Sequence, residues 1–187
     1  MIIYIHGFGG SGLGTKASLF REYFKERGVE YIAPSLSYIP DLAISTLEEL
    51  IENCKDPKLI GSSLGGFYTI YLTKKYNIKG VLINPAVKSH KTLERHISYK
   101  ECAISYYDGS QFTWQDNHLE MLKKLVVDNP KDENLLLLLQ KGDEVLDYKD
   151  ALKKLPNAKR IVEDGGNHSF EGIERYFEDI EEFLLIK

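Results

Sequence analysis

Ser63 is the side chain of this sequence best placed to act as a nucleophile. It lies in the motif Gly61-Ser62-Ser63-Leu64-Gly65, with an apolar run before it and an apolar, aromatic run of helical spacing after it. This pattern is typical of a nucleophile elbow, a tight strand-to-helix turn with the serine at its apex. The turn holds its serine in a sparsely populated backbone conformation and leaves no room for side chains two positions away. Ser62 is a competing hydroxyl, but only Ser63 has glycine at both of those positions.

A base and an acid follow Ser63 in the chain. Asp143 lies in the loop that follows the apolar run 135–139, and His168 lies in a glycine-rich loop after the run 160–162. A serine hydroxyl becomes a good nucleophile when a neutral imidazole takes its proton, and a carboxylate holds that imidazole in the required tautomer. We therefore predict a Ser-His-Asp triad that forms an acyl-enzyme.

The acid has alternatives in the sequence. Asp147 lies four residues after Asp143 and could serve instead, although it is also a natural N-cap for the next helix. Asp143 is favoured because it falls in the loop directly after the buried strand. Asp164 is a weaker candidate, since it lies too close to His168 in the chain to fit the order serine, acid, histidine.

The tetrahedral intermediate of such a reaction needs preorganised hydrogen-bond donors for its negative oxygen. One is predicted to be the backbone N–H of Leu64, directly after the nucleophile. The loop after the first strand contains His6, Gly7 and Phe8, and the Phe8 N–H is the predicted second donor. His6 is interpreted as a structural hydrogen-bonding residue of this loop rather than as the catalytic base.

The elements that must position these residues alternate along the chain. Short β-branched or aliphatic runs predict strands at 2–5, 31–33, 59–60, 80–84, 135–139 and 160–162. Amphipathic spacing predicts helices at 15–27, 41–54, 64–76, 117–127, 148–155 and 172–185, with Thr15 and Asp41 as N-caps. The alternation predicts an α/β fold with a mostly parallel sheet of about six strands and helices on both faces. Catalytic side chains would then meet at the carboxyl ends of the strands.

Composition narrows the class of protein. A chain of 187 residues with 43% hydrophobic and 28% charged residues is typical of one globular domain, here expected over 1–187. The net charge of −4 and the lack of a basic cluster argue against nucleic acid or an anionic membrane as a partner. Cys54 and Cys102 have no metal-ligand spacing, and no signal peptide or membrane span is evident. We expect a cytoplasmic protein with a small-molecule substrate and no cofactor; its oligomeric state is left open.

The segment 88–115 breaks the regular pattern. Its aromatic residues could form a lid over an acyl pocket or could pack as an ordinary cap; they are Tyr99, Tyr106, Tyr107, Phe112 and Trp114. Three histidines, His90, His96 and His118, could be imagined as metal ligands. They share no tight ligand motif, so no metal site is predicted.

Nucleotide binding is a competing interpretation. The segment Gly7–Gly12 matches Gly-x-Gly-x-x-Gly between a strand and a helix. A dinucleotide site also needs an acidic residue about 20 positions on, at the end of the second strand. That strand ends here in Ala33-Pro34, and the nearest acid, Glu30, lies at its beginning. A P-loop is unsupported too, because Gly14-Thr15-Lys16 reverses the required order of lysine and threonine.

With these residues in view, the chain resembles the α/β-hydrolase superfamily, and more narrowly the small YqiA/YcfP-like bacterial esterases. The carrying segments are 4–8, 61–68, 84–87, 142–148 and 165–170, in the order expected of that family. The resemblance implies a compact α/β-hydrolase fold that lacks the two leading strands of larger members. It also implies esterase or thioesterase activity on acyl substrates. A non-catalytic binding protein on the same scaffold remains an alternative, although no triad residue type is missing.

Overall fold

The structure, a computed structural model, describes residues 1–94 and 102–185. Within these ranges strands and helices alternate along the chain, apart from one pair of consecutive two-residue strands. The elements are β1 (Ile2–Ile5), α1 (Thr15–Glu26), β2 (Tyr31–Ile32), α2 (Pro40–Asn53), β3 (Lys58–Ser62), α3 (Leu64–Tyr76), β4 (Gly80–Ile83), α4 (Ser89–Thr92), β5 (Ala103–Ile104), β6 (Gln111–Phe112), α5 (Asp116–Lys124), β7 (Leu135–Gln140), α6 (Tyr148–Lys154), β8 (Lys159–Glu163) and α7 (Phe177–Leu185). Short 3-10 helices cover Asp132–Asn134 and Ile173–Tyr176.

Six of these strands form one parallel sheet in the order β2-β1-β3-β4-β7-β8. The predicted parallel sheet of six strands is therefore confirmed. The chain reverses its direction of travel across the sheet between β1 and β3, and ligands of open α/β sheets bind at such a switch point. The order of a dinucleotide-binding Rossmann sheet is 3-2-1-4-5-6. Here the second strand lies at the edge instead, so the sheet does not have the Rossmann order.

The two faces of the sheet are covered by different helices, as predicted. Ile2 and Tyr4 of β1 point to one face and pack with the apolar residues of α1 and α7, including Phe20 and Ile180. The alternate residues of the strands point to the other face, where α2, α3, α5 and α6 contribute the packed side chains. The residues of β7 are buried throughout the strand. A strand buried on both faces explains its unbroken run of leucines.

Some predicted helix ends differ from the structure. Gly14 and Ile39 occupy the N-cap positions of α1 and α2, where Thr15 and Asp41 were predicted. A 3-10 helix precedes α7 in the region where one continuous helix was predicted. Local propensity defines a helix less sharply at its ends than along its apolar face, because cap residues respond to the path of the chain that enters the helix.

Within the segment 88–115, the described residues 88–94 and 102–115 form elements that the sequence pattern does not indicate. It begins with α4 and ends in an antiparallel hairpin of β5 and β6, paired at Ala103 with Phe112 and at Ile104 with Gln111. The hairpin lies against the loop after β1, where the N–H of Tyr106 donates to the carbonyl of Gly9 at 2.7 Å. Two residues named in the sequence analysis, His96 and Tyr99, lie outside the described residues.

Candidate active site

Ser63 stands at the turn from β3 into α3 in a conformation that non-glycine residues rarely adopt. Its φ is 54° and its ψ is −118°. The neighbouring glycines are required by contacts with backbone atoms. A Cβ on Gly61 would lie 2.3 Å from the carbonyl oxygen of Gly65, and a Cβ on Gly65 would lie 2.0 Å from that of Ile5. The turn therefore has the geometry of a nucleophile elbow, with the strain held in place by packed backbone on both sides.

The hydroxyl of Ser63 meets the imidazole of His168. The distance from Ser63 Oγ to His168 Nε2 is 3.0 Å, although the two residues are 105 positions apart in the chain. Ser63 is half-buried, whereas the neighbouring Ser62 is buried within β3 and hydrogen-bonded to Tyr4. Of the two hydroxyls, only that of Ser63 is held against a histidine.

Asp143 holds the other side of the imidazole. His168 Nδ1 lies 2.9 Å and 3.0 Å from the two carboxylate oxygens of Asp143. The N–H groups of Val145 and Leu146 each donate to Oδ1 of Asp143 at 2.8 Å. Burial alone would raise the pKa of Asp143, but the hydrogen bonds from His168 and these two N–H groups outweigh it and lower the pKa. The carboxylate is therefore ionised at neutral pH and directs the Nδ1 proton of His168 toward itself.

The two alternative acids have other partners. Asp147 is the N-cap of α6, and its carboxylate accepts a hydrogen bond from the N–H of Lys149 at 2.9 Å. Asp164 forms an exposed ion pair with Lys141 at 2.6 Å. In the described structure it is Asp143 that the fold brings to His168.

Two buried polar residues that the sequence analysis did not assign to the site anchor the loop of His168. Asn84, at the end of β4, donates to the carbonyls of Asn167 at 3.0 Å and His168 at 3.2 Å. Gln140, at the end of β7, accepts from the N–H groups of Asn167 at 3.0 Å and Glu171 at 2.9 Å. Each residue is 2% exposed. The available signal was an amide side chain at the carboxyl end of an otherwise apolar strand, where a buried polar group requires a partner.

The loop after β1, which contains the predicted donor Phe8, packs against the elbow. A Cβ on Gly7 would lie 3.1 Å from Cβ of Ser63, so this loop packs directly against the nucleophile. The carbonyl of Gly7 accepts hydrogen bonds from His6 Nδ1 at 2.8 Å and from the N–H of Gly10 at 3.0 Å. Because the peptide bond is planar and trans, these bonds also direct the Phe8 N–H to the opposite side.

His6 is the residue that fixes this peptide. Its Nε2 accepts a hydrogen bond from the N–H of Leu36 at 2.9 Å, so its proton is on Nδ1 and is donated to Gly7. Burial lowers the pKa of His6, which keeps the ring neutral. His6 thus has the structural role in the loop that the sequence predicted. The other predicted donor, Leu64, begins α3, where backbone N–H groups have no partner within the helix.

Two recesses meet at Phe8 and Leu64. The main cavity, of about 720 Å³, is also lined by Ser63 and His168 and by residues from the loops at 144–146 and 168–174. The side pocket, of about 240 Å³, lies beneath the hairpin of β5 and β6.

Lys16 lines the main cavity and donates a hydrogen bond to the carbonyl of Ser169 at 2.6 Å. Burial lowers the pKa of Lys16 to about 8.

Other candidate sites receive no support within the described residues. There is no group of three or more His, Cys, Asp or Glu side chains in residues 1–94 and 102–185 that could hold a metal ion. His118 is buried at the start of α5, where its Nδ1 accepts from the N–H of Gln115 at 3.2 Å. None of the helices that the structure describes is both long enough and apolar enough to span a membrane.

Comparison with known proteins identifies relatives over the whole chain. The model of a family described as "Uncharacterised protein family (UPF0227)" matches residues 1–185. A UPF0227 protein of Vibrio cholerae is 24% identical over 189 residues, which cover 98% of each chain. A UPF0227 protein of Pasteurella multocida is 24% identical over 192 residues, again covering 98% of each.

Solved structures similar to this fold are α/β-hydrolases and esterases. Est1E from Butyrivibrio proteoclasticus, determined with ferulic acid bound, has a TM-score of 0.77 at 16% identity and covers 98% of this chain and 87% of its own. The mouse alpha/beta hydrolase domain-containing protein 10 has a TM-score of 0.75 at 18% identity. The match covers 97% of the present chain and 88% of the mouse chain. At these identities the structural similarity establishes the α/β-hydrolase fold. The match of the family model to residues 1–185 establishes the family to which the chain belongs. The chain belongs to the UPF0227 family, and it has the α/β-hydrolase fold.

Proposed function

We propose that this protein is a serine hydrolase that cleaves carboxylic esters or thioesters through an acyl-enzyme intermediate. The observation that supports the proposal most directly is the 3.0 Å hydrogen bond between Ser63 Oγ and His168 Nε2, at the wall of an open cavity. The esterases among the similar folds favour the same reaction class. Under this proposal Ser63 is the nucleophile, His168 the base and then the acid, and Asp143 the residue that orients the imidazole.

The first half of the reaction forms the acyl-enzyme. With the Nδ1 proton donated to Asp143, the Nε2 lone pair of His168 is available to accept the hydroxyl proton of Ser63. Ser63 Oγ then attacks the carbonyl carbon of the substrate, and the C=O electrons move onto oxygen. The N–H groups of Leu64 and Phe8 would stabilise this oxyanion. The C–O or C–S bond breaks as the protonated imidazole gives its proton to the leaving alcohol or thiol.

The second half releases the acid. A water molecule replaces the leaving group, gives a proton to His168 Nε2 and attacks the acyl carbon. Collapse of the second tetrahedral intermediate returns the proton to Ser63 Oγ and frees the carboxylic acid. The ionised Asp143 stabilises the imidazolium in both halves, which is the reason why its hydrogen bonds and lowered pKa matter to the reaction.

The cavity and the similar folds support a proposed substrate class. A main cavity of about 720 Å³ lies within the size range of small-molecule sites. One similar fold, Est1E, was determined with ferulic acid, an aromatic carboxylic acid. Acyl esters and thioesters of small-molecule size are therefore the first substrates to test.

The proposal is tested by covalent labelling. The wild-type protein is incubated with a fluorophosphonate probe, digested and analysed by mass spectrometry. We expect one adduct on Ser63, none in Ser63→Ala, and loss of p-nitrophenyl acetate hydrolysis in the same variant. Ser62→Ala is the matched control, since its hydroxyl lies one residue away and faces Tyr4 instead of His168.

Two outcomes would overturn the proposal. Labelling that persists in Ser63→Ala would remove Ser63 as the nucleophile. An unlabelled, inactive but folded wild-type protein, verified by thermal melting, would favour a non-catalytic binding role for the scaffold.

A further inference from the structure

The main cavity and the side pocket are lined by different residues of the proposed active site. Both are lined by Phe8 and Leu64, the residues whose N–H groups would hold the oxyanion. The main cavity is also lined by Ser63 and His168, and the side pocket by neither. A carbonyl group bound between Phe8 and Leu64 therefore has two places into which its substituents can extend.

The chemistry of the proposed reaction decides which substituent enters which recess. The leaving oxygen or sulfur must lie within hydrogen-bond reach of His168 Nε2, because the imidazolium protonates it as the bond breaks. The leaving group must consequently extend into the recess that His168 lines, which is the main cavity. The acyl substituent is the other group on the carbonyl carbon, and the side pocket is the second recess that Phe8 and Leu64 line.

We propose that the side pocket is the acyl site, and that it selects acyl groups carrying one aromatic ring on a short linker. This inference rests on the proposed serine hydrolase function and adds its substrate class. The larger main cavity then receives the alcohol or thiol.

The walls of the side pocket favour an aromatic group. Phe8, Tyr38, Tyr68 and Phe112 all line it. The rings of Tyr38 and Phe112 are stacked with centroids 4.7 Å apart, and those of Phe8 and Phe112 meet edge to face at 5.4 Å. Aromatic rings prefer these two arrangements, so an entering ring finds both faces and edges to contact.

The size of the side pocket limits the acyl group. A protein cavity of about 150 Å³ binds benzene, or about 25 Å³ for each ring carbon. On that scale the pocket volume of about 240 Å³ corresponds to about ten carbon atoms. A 3-phenylpropionyl group, with nine carbon atoms, fits this volume, and a long-chain fatty acyl group does not.

The hairpin of β5 and β6 closes the pocket and offers a suitable position for testing it. Gln111 of β6 lines the side pocket and has an exposed side chain, so replacing it does not open the core. Tryptophan is compatible with a strand position and would fill the pocket. The matched control is Glu174, which is also exposed but lines only the main cavity.

The experiment compares two series of esters on the wild type, Gln111→Trp and Glu174→Trp. The acyl series uses p-nitrophenyl acetate, 3-phenylpropionate and dodecanoate, with kcat/KM divided by the hydroxide rate constant of each ester. The alcohol series uses acetates of small and large phenols. We expect the wild type to prefer 3-phenylpropionate to both other acyl groups by at least tenfold. Gln111→Trp should abolish this acyl preference and leave the order of rates in the alcohol series unchanged. Glu174→Trp should change the order of rates in the alcohol series and leave the acyl preference unchanged.

The structure of a covalent adduct gives an independent readout. Ser63 is reacted with the p-nitrophenyl ester of a 2-phenylethyl phosphonate, in which the arylalkyl group stands for the acyl substituent. A phenyl ring in the side pocket supports the proposal, and a ring in the main cavity overturns it.

The kinetic outcomes separate this inference from the function on which it rests. An active, labelled enzyme that prefers dodecanoate, or whose acyl preference changes only in Glu174→Trp, would overturn the acyl-site assignment and leave the serine hydrolase proposal standing. Failure of Ser63 to react with any phosphonate would overturn both.

Discussion

The substitution Asp143→Asn tests the proposed triad at a single atom. Oδ1 of Asp143 accepts from the N–H groups of Val145 and Leu146, each at 2.8 Å. In the asparagine variant these two donors keep the amide oxygen at the same position, which turns the NH₂ group toward His168. The NH₂ group replaces Oδ2, the nearer acceptor at 2.9 Å, and donates to Nδ1, which shifts the proton of His168 toward Nε2 in competition with the amide oxygen at 3.0 Å.

The expected loss of activity follows from that change of tautomer. A protonated Nε2 cannot take the proton of Ser63, and the imidazolium loses its carboxylate partner. The same exchange in a serine protease triad lowers kcat by about 10⁴. The carboxylate of Asp143 is only 3% exposed, so water cannot readily replace it. We therefore expect kcat/KM to fall by about 10³ to 10⁴, or about 4–5.5 kcal/mol at 1.36 kcal/mol for each factor of ten.

The assay is hydrolysis of p-nitrophenyl acetate, with the rate of fluorophosphonate labelling measured in parallel. The matched control is Asp147→Asn. Asp147 accepts one hydrogen bond, from Lys149, as the N-cap of α6, and asparagine is an equally good N-cap. This control should keep the wild-type kcat/KM within about twofold and the wild-type melting temperature.

Equal losses in the two variants, or a larger loss in Asp147→Asn, would refute the reasoning. Full activity of a folded Asp143→Asn protein would also refute it, because that result would mean that the tautomer of His168 does not depend on Asp143. Thermal melting of both variants distinguishes a chemical defect from unfolding.

Three further predictions concern the base, the oxyanion loop and the elbow. The kcat/KM of ester hydrolysis should rise as the pH increases from the acid side, because a histidine base must be neutral to take the proton of Ser63; burial lowers the pKa of His6, so that ring loses its proton at a lower pH than an ordinary histidine. A flat profile, with the chemical step verified as rate-limiting, would argue against a histidine base. In His6→Ala the Gly7 carbonyl loses one of its two hydrogen-bond donors. We expect kcat to fall by about 10–100-fold with KM little changed, a smaller loss than that caused by removing an oxyanion donor itself. A change in KM alone would contradict this prediction. Gly65→Ala places a Cβ 2.0 Å from the Ile5 carbonyl oxygen, and we expect it to destabilise the protein by about 3 kcal/mol or more in urea unfolding; wild-type stability would show that the elbow can relax.

The fold was largely predictable because its signals are local. Runs of apolar β-branched and aliphatic residues identified the six strands of the sheet, and the leucine run at 135–139 was recognisable as a strand buried on both faces. The pair of glycines around Ser63 indicated an elbow, because each lies where any Cβ would meet backbone. The helix ends and the hairpin of β5 and β6 were less predictable, since two-residue strands carry almost no periodicity of their own.

The sequence by itself determined which residue types were available and in which order, namely a serine, an acid and a histidine after successive strands. Tertiary structure brought Asp143, and not Asp147, to His168 through a contact between residues 25 positions apart. It also revealed Asn84 and Gln140 as anchors of the histidine loop and separated the side pocket from the main cavity. Local patterns record the conformation that a segment prefers. Hydrogen bonds and cavities arise only where segments distant in sequence are packed together.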